Sequence, residues 1–146
     1  SMLLPIRVFL SIIVGFFVGS LVNMLIVAAA PSIIPLPPGT DNSSLEKLRE
    51  SMSSFEAKNF IFPLLAHALG TLTGSAVAAR FAGPGLLPAA IIVGVLFLAG
   101  GISMDYLVKG PTWYRVTDLG LCYLPMTLLA CGMIYNSRRR RARRGR

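Results

Sequence analysis

The chain has one histidine, His67, set inside a stretch from Lys58 to Ala82 that is apolar and long enough to cross a bilayer. An imidazole donates and accepts hydrogen bonds and exchanges a proton near neutral pH. In hydrocarbon such a group is costly, so its presence there is by default a sign of function. Thr71 lies one turn further on the same face, and Asn23 sits in the first apolar run. Asp105 ends the third apolar run, while Asp118 and Tyr123 open the fourth. Together Asn23, His67, Thr71, Asp105, Asp118 and Tyr123 are the candidates for a ligand or ion site, a polar patch in the membrane beneath an outer vestibule edged by the two acids. The same residues admit a plainer use. A neutral imidazole bonded to Asn23, to a hydroxyl or to a backbone carbonyl would simply clasp two helices.

Other chemistry is not encoded. The chain contains no HExxH, CxxC, Walker loop or dinucleotide fingerprint, and one histidine with acids at the outer helix ends makes no triad. No catalytic residue and no cofactor is therefore expected, and enzymatic activity is the less favoured reading. Cys122 and Met126 stand four apart and could offer sulfur to a soft metal, but no further His or Cys follows at motif spacing, so no metal is expected. Cys122 and Cys131, on one helix and ~13 Å apart along its axis, cannot bridge each other.

The elements that must hold these residues follow from composition. Of 146 residues 54% are hydrophobic and 14% charged, with a mean hydropathy of +0.68, which makes lipid the solvent. Four apolar runs predict an all-α fold of four transmembrane helices, about 6–30, 58–82, 86–104 and 118–135, in one antiparallel bundle spanning 1–137. The first run ends in Ala28-Ala29-Ala30, like a signal-peptide cleavage site. Its length and its Gly15-x-x-x-Gly19 pattern favour a retained helix.

Gly15, Gly19 and Asn23 recur every four residues, as do Gly70, Gly74 and Ala78 beyond His67, so each helix offers a small-residue face to a neighbour. The segment from Pro31 to Asp41 is too rich in proline to be helical. After it, Ser43-Ser44-Leu45-Glu46 reads as a capping box, and Leu45, Leu48, Met52 and Phe55 predict a short amphipathic outer helix over about 44–55. Ala82-Gly83-Pro84-Gly85 is a tight turn. Trp113, Tyr114 and Arg115 read as an interfacial belt, Thr117-Asp118 as a helix N-cap, and Pro125 as a kink.

The charges are segregated. Arg7, Arg80 and the arginine-rich end fall on one side, and all six acids fall on the other. By the positive-inside rule both termini are cytoplasmic. Residues 138–146 predict a disordered polybasic tail in which Arg138, Arg139, Arg140, Arg141, Arg143 and Arg144 touch anionic headgroups. Without aromatic interleaving the tail does not read as a nucleic-acid binder. The expected partners are the bilayer and either a second copy or a larger membrane complex.

The words Leu21-Val22-Asn23-Met24, Pro37-Pro38-Gly39-Thr40-Asp41, Phe62-Pro63-Leu64-Leu65-Ala66-His67-Ala68-Leu69-Gly70-Thr71-Leu72, Phe97-Leu98-Ala99-Gly100-Gly101-Ile102 and Tyr123-Leu124-Pro125-Met126 resemble an uncharacterised group of small bacterial four-helix membrane proteins. That resemblance implies the fold and a bacterial inner membrane, and implies no activity. The helix number and length also resemble the eicosanoid and glutathione-conjugating membrane enzymes. Their Arg and Asn/Glu signature before a helix-two proline is not reproduced by Arg49, Glu56, Asn59 and Pro63. The functional expectations are a structural or accessory subunit acting through helix packing, or an oligomeric small-solute or ion transporter with its polar site around His67 and Asn23.

Overall fold

In hydrocarbon a chain satisfies its backbone polar groups only as helix or closed barrel. Here four stretches are long and apolar enough to cross a membrane as helices: Leu3–Ile33, Ala57–Phe81, Gly83–Val108 and Thr112–Arg144. The computed structural model describes residues 3–145. Its helices are α1 (Leu3–Ile33), α2 (Leu45–Ser51), α3 (Ile61–Phe81), α4 (Leu86–Val108), α5 (Thr112–Leu121) and α6 (Leu124–Arg144), with short 3-10 turns at Met52–Ser54, Ala57–Phe60 and Gly83–Gly85. No strand occurs among the described residues.

Helix α3 is the hub, packed against α1, α4 and α6. Its contact with α1 is backbone on backbone. A Cβ placed on Gly15 or Gly19 would lie 2.5 Å from the carbonyl oxygen of Gly74 or Gly70, and one placed on Gly70 or Gly74 would meet the oxygen of Gly19 or Gly15 at 2.9 and 2.7 Å. Lipid tails are as apolar as leucine, so the gain comes from close van der Waals approach and not from expelled water. On its other flank α3 uses a polar clasp: Ser75 Oγ lies 3.2 Å from Thr127 Oγ1 and donates to the Ala90 carbonyl at 3.4 Å. Gly94 leaves the room that Thr127 occupies. Alanines fill the remaining interior, with Ala78, Ala82, Ala89 and Val93 forming one buried cluster and Ala79, Ala90 and Cys131 another.

The two ends of the bundle differ. At the end carrying the Gly83–Gly85 turn, Arg7 Nε donates to the Phe81 carbonyl at 2.6 Å, and Arg138 donates to the carbonyls of Gly83 at 2.6 Å and Ala79 at 2.7 Å. These guanidinium groups satisfy carbonyls that the end of α3 leaves open, and they sit at the negative pole of its dipole. At the opposite end, called here the loop end, Asp41 pairs with Lys47 at 2.8 Å, and its backbone N–H donates to Ser51 Oγ at 2.9 Å. The Lys47 ammonium, helped by Ser43, holds the Asp41 carboxyl well below the usual carboxylate range. This lowered value means that the link is intact at neutral pH and is lost only as pH falls below that range. Buried Asn59 accepts from the Glu56 N–H at 2.9 Å and donates to the Pro35 carbonyl at 3.2 Å, tying the proline-rich segment to the start of α3.

Four expectations need correction. Helix α1 runs through Pro31 to Ile33, because a proline in the last turn loses one hydrogen bond while its fixed φ remains helical. Ser44, not Ser43, caps α2, accepting from the Lys47 N–H at 3.2 Å, so the reciprocal glutamate of a capping box is absent. The fourth span is two helices, with Asp118 in the last turn of α5 and not at an N-cap. The arginine-rich segment is helical to Arg144 as the continuation of α6, and the Arg138 guanidinium donates to carbonyls at the end of α3. Arginine is a strong helix former, and the helix is already nucleated inside the bundle.

The seam between α1 and α3 makes a direct prediction. Gly19→Leu or Gly74→Leu is expected to cost about 1–3 kcal/mol through overpacking, read as a lower unfolding midpoint in detergent, while Gly120→Ala, where nothing lies within 4 Å, leaves the midpoint unchanged.

Candidate functional site

The site is built by a break in the fourth span. Pro125 has no N–H to give the Leu121 carbonyl, and the chain departs from helix at Tyr123, with φ −117° and ψ −80°, before restarting at Leu124. The break leaves Cys122 and Tyr123 buried, with Asp118 one turn earlier on α5 also buried at 4% exposure. Gly101 on α4 leaves the space that the Tyr123 phenol enters, since a Cβ there would collide with the hydroxyl.

His67 comes to Asp118 from α3. Its Nδ1 lies 2.7 Å from Asp118 Oδ1, and Tyr123 donates its hydroxyl to Oδ2 at 3.2 Å. The imidazole and phenol rings stack with centroids 5.8 Å apart. A carboxylate that accepts at both oxygens needs the hydrogen of the imidazole on Nδ1, which in the neutral ring leaves Nε2 as an acceptor. A carboxylate behind the ring orients histidines in metal and catalytic sites in the same way, and here α5 supplies it. Nε2 makes no hydrogen bond to any described residue, and the His67 side chain is 23% exposed.

That exposure is to a cleft of about 210 Å³ between α1 and α4, floored by α3. The rings of Phe16 and Phe97, 5.2 Å apart, stand at the side nearer the arginines, and Gly100, Gly101 and Met104 follow towards the loop end. Asn23 opens on the same cleft, and its Oδ1 is buried with no hydrogen-bond partner among the described residues. Thr71 Oγ1 is likewise unpartnered and fully buried, but Thr71 does not line the cleft.

The six sequence candidates thus divide. His67, Asn23 and Tyr123 share one cavity, with Asp118 behind the histidine. Asp118 is no vestibule edge, because its carboxylate is spent inside the bundle. Asp105 is elsewhere, held by the Nε and NH2 of Arg115 at 2.6 and 2.9 Å. His67 and Asn23 do not bond to each other; the histidine takes the carboxylate and leaves the amide free. Sequence reasoning missed the pairing across 51 residues, and it missed Phe16, Phe97 and Gly101 as walls. The available signal was the acid itself, which could be read as lying within an apolar span that starts earlier, at Thr112. Among the described residues no three His, Cys, Asp or Glu side chains converge as a metal site. In comparisons with family models, curated proteins and solved structures, the chain matches none.

Removing the acceptor should expose the worth of this triplet. Asp118→Leu leaves His67 Nδ1 and the Tyr123 hydroxyl buried without a partner and is expected to cost about 1–3 kcal/mol, with Tyr123→Phe costing less. Unfolding in mixed detergent measures both, and equal midpoints for Asp118→Leu and the parent would show that the triplet contributes nothing.

Proposed function

We propose that this is a membrane protein whose loop-end cleft binds a small molecule through His67 and Asn23, with Asp118 and Tyr123 positioning the histidine. One observation carries the reading: an imidazole backed by a buried carboxylate opens on a cavity that is also lined by Asn23, whose buried amide oxygen has no partner among the described residues. A packing clasp would have spent these groups on each other, since each unpaired polar group in hydrocarbon costs free energy. Four helices leave little room for a central aqueous path. Binding is therefore the act assigned to one chain, and movement of a solute across the bilayer requires a second copy.

The segregated charge supports an inner-membrane location with both termini cytoplasmic, the cleft lying towards the outer leaflet. The resemblance of its sequence words to small bacterial four-helix membrane proteins points the same way. In the polybasic end the residues left to meet anionic headgroups are Arg139, Arg140, Arg141, Arg143 and Arg144. A second reading, an accessory subunit that packs on a partner, is favoured by Gly120 and Gly132. Both face outwards with nothing within 4 Å, as a partner helix would need.

Asn23→Leu separates binding from clasping. If the amide is kept for a ligand, replacing an orphaned polar group with an apolar one is expected to raise the unfolding midpoint and to remove any small molecule that native mass spectrometry finds on the parent protein. A lower midpoint would mark Asn23 as a clasp. The orientation has its own test: Ser137→Cys is expected to resist a membrane-impermeant thiol reagent in intact cells while Ser54→Cys reacts, and the reverse pattern would invert the topology.

A further inference from the structure

The cleft is selective by its hydrogen-bond polarity and its charge. Asp118 fixes a hydrogen of His67 on Nδ1, so in the neutral ring the atom presented to the cleft, Nε2, accepts. The second unpaired atom, Asn23 Oδ1, also accepts, and its amide nitrogen supplies a donor. A head that can only accept, such as an ether or an ester, would leave His67 Nε2 unpaired. A hydroxyl fits, because it donates once and accepts as well.

Charge narrows the class further. No lysine or arginine lines the cleft, and the nearest charged group is the Asp118 carboxylate behind the imidazole. An anion entering here would lose its water and meet a negative charge, with no cation to offset either cost. A metal cation finds no better reception, since both Asp118 oxygens are already bonded and the walls are Phe16, Phe97 and Met104.

The way in is through lipid. Phe16, Leu96 and Met104 on the rim are 41%, 45% and 40% exposed, and nothing lies within 4 Å of a side chain built on Gly100. On the spans of a membrane protein, such exposure faces acyl chains. The volume of about 210 Å³ lies below the ~300–1,000 Å³ of sites for drug-sized molecules, so the cleft encloses a head group and leaves a tail outside.

Resting on the binding reading above, we propose that the cleft takes the uncharged, hydrogen-bond-donating head of an apolar molecule, an alcohol or phenol, which enters sideways from the bilayer and donates to His67 Nε2. The single histidine makes the test direct. The full chain, carrying isotope-labelled histidine, is placed in phosphatidylcholine nanodiscs, and its ring-nitrogen resonances are followed while para-octylphenol, para-octylanisole or octanoate is added.

The phenol is expected to move the Nε2 resonance saturably. The anisole, which keeps the ring and tail but has no donor, and the anionic octanoate are each expected to bind at least about tenfold more weakly, as befits the loss of one buried hydrogen bond. A Ser103→Ala control outside the cleft should respond like the parent. If the anisole or octanoate matches the phenol, the donor-head assignment is wrong while binding at the cleft stands. If no probe moves Nε2, the assignment is overturned, and the binding reading is judged separately by the small molecule lost on Asn23→Leu.

Discussion

The bundle depends on the absence of side chains where α1 crosses α3. Gly15 and Gly19 meet Gly70 and Gly74 so closely that each glycine stands against a carbonyl of the other helix. Of α1 only Ser11, Gly15 and Gly19 are buried, so little besides this seam fixes a helix of 31 residues. Its register decides what Asn23 faces. One turn beyond Gly19, the asparagine is carried to the cleft that His67 reaches from α3, and Phe16 is brought against Phe97.

A second constraint works against the first. Close packing of glycine and alanine makes a dry interior, and a dry interior makes Asp118 expensive to bury. The charge is tolerable because the imidazole and the phenol both give it hydrogen atoms, and because the break before Pro125 lets Tyr123 turn inwards to do so. The arrangement holds the His67 ring in one orientation and leaves one nitrogen without a protein partner.

Much of this was legible in the residues. The four spans, the small-residue faces of α1 and α3 and the short helix at the loop end all follow from spacing and from the cost of polarity in lipid. What failed did so for identifiable reasons. Thr117-Asp118 looks like a cap, and the preceding residues include Trp113, Tyr114 and Arg115, which suit an interface as well as a helix, so the local pattern points to a helix start at Asp118. Its partner lies 51 residues away, and no local pattern encodes a distance of that kind. Arg138 looks like the first member of a charge run, and only the fold shows that the carbonyls of α3 lie within its reach. The walls of the cleft come from three helices, so no single stretch could announce them.

The order of the elements along the chain bears on how the protein is made. The span that carries Asp118 is the least apolar of the four and the last to be synthesised. An aspartate opposes insertion by about 2.5–3.5 kcal/mol at the centre of an isolated span and by less nearer an end, where Asp118 lies, and an isolated fourth span would have nothing to bond it. By then α3 has already been delivered to the bilayer with His67 on it. The carboxylate therefore enters a membrane that already holds its donor, His67, and productive insertion of the final span is tied to the earlier helices having left the insertion machinery and assembled beside it.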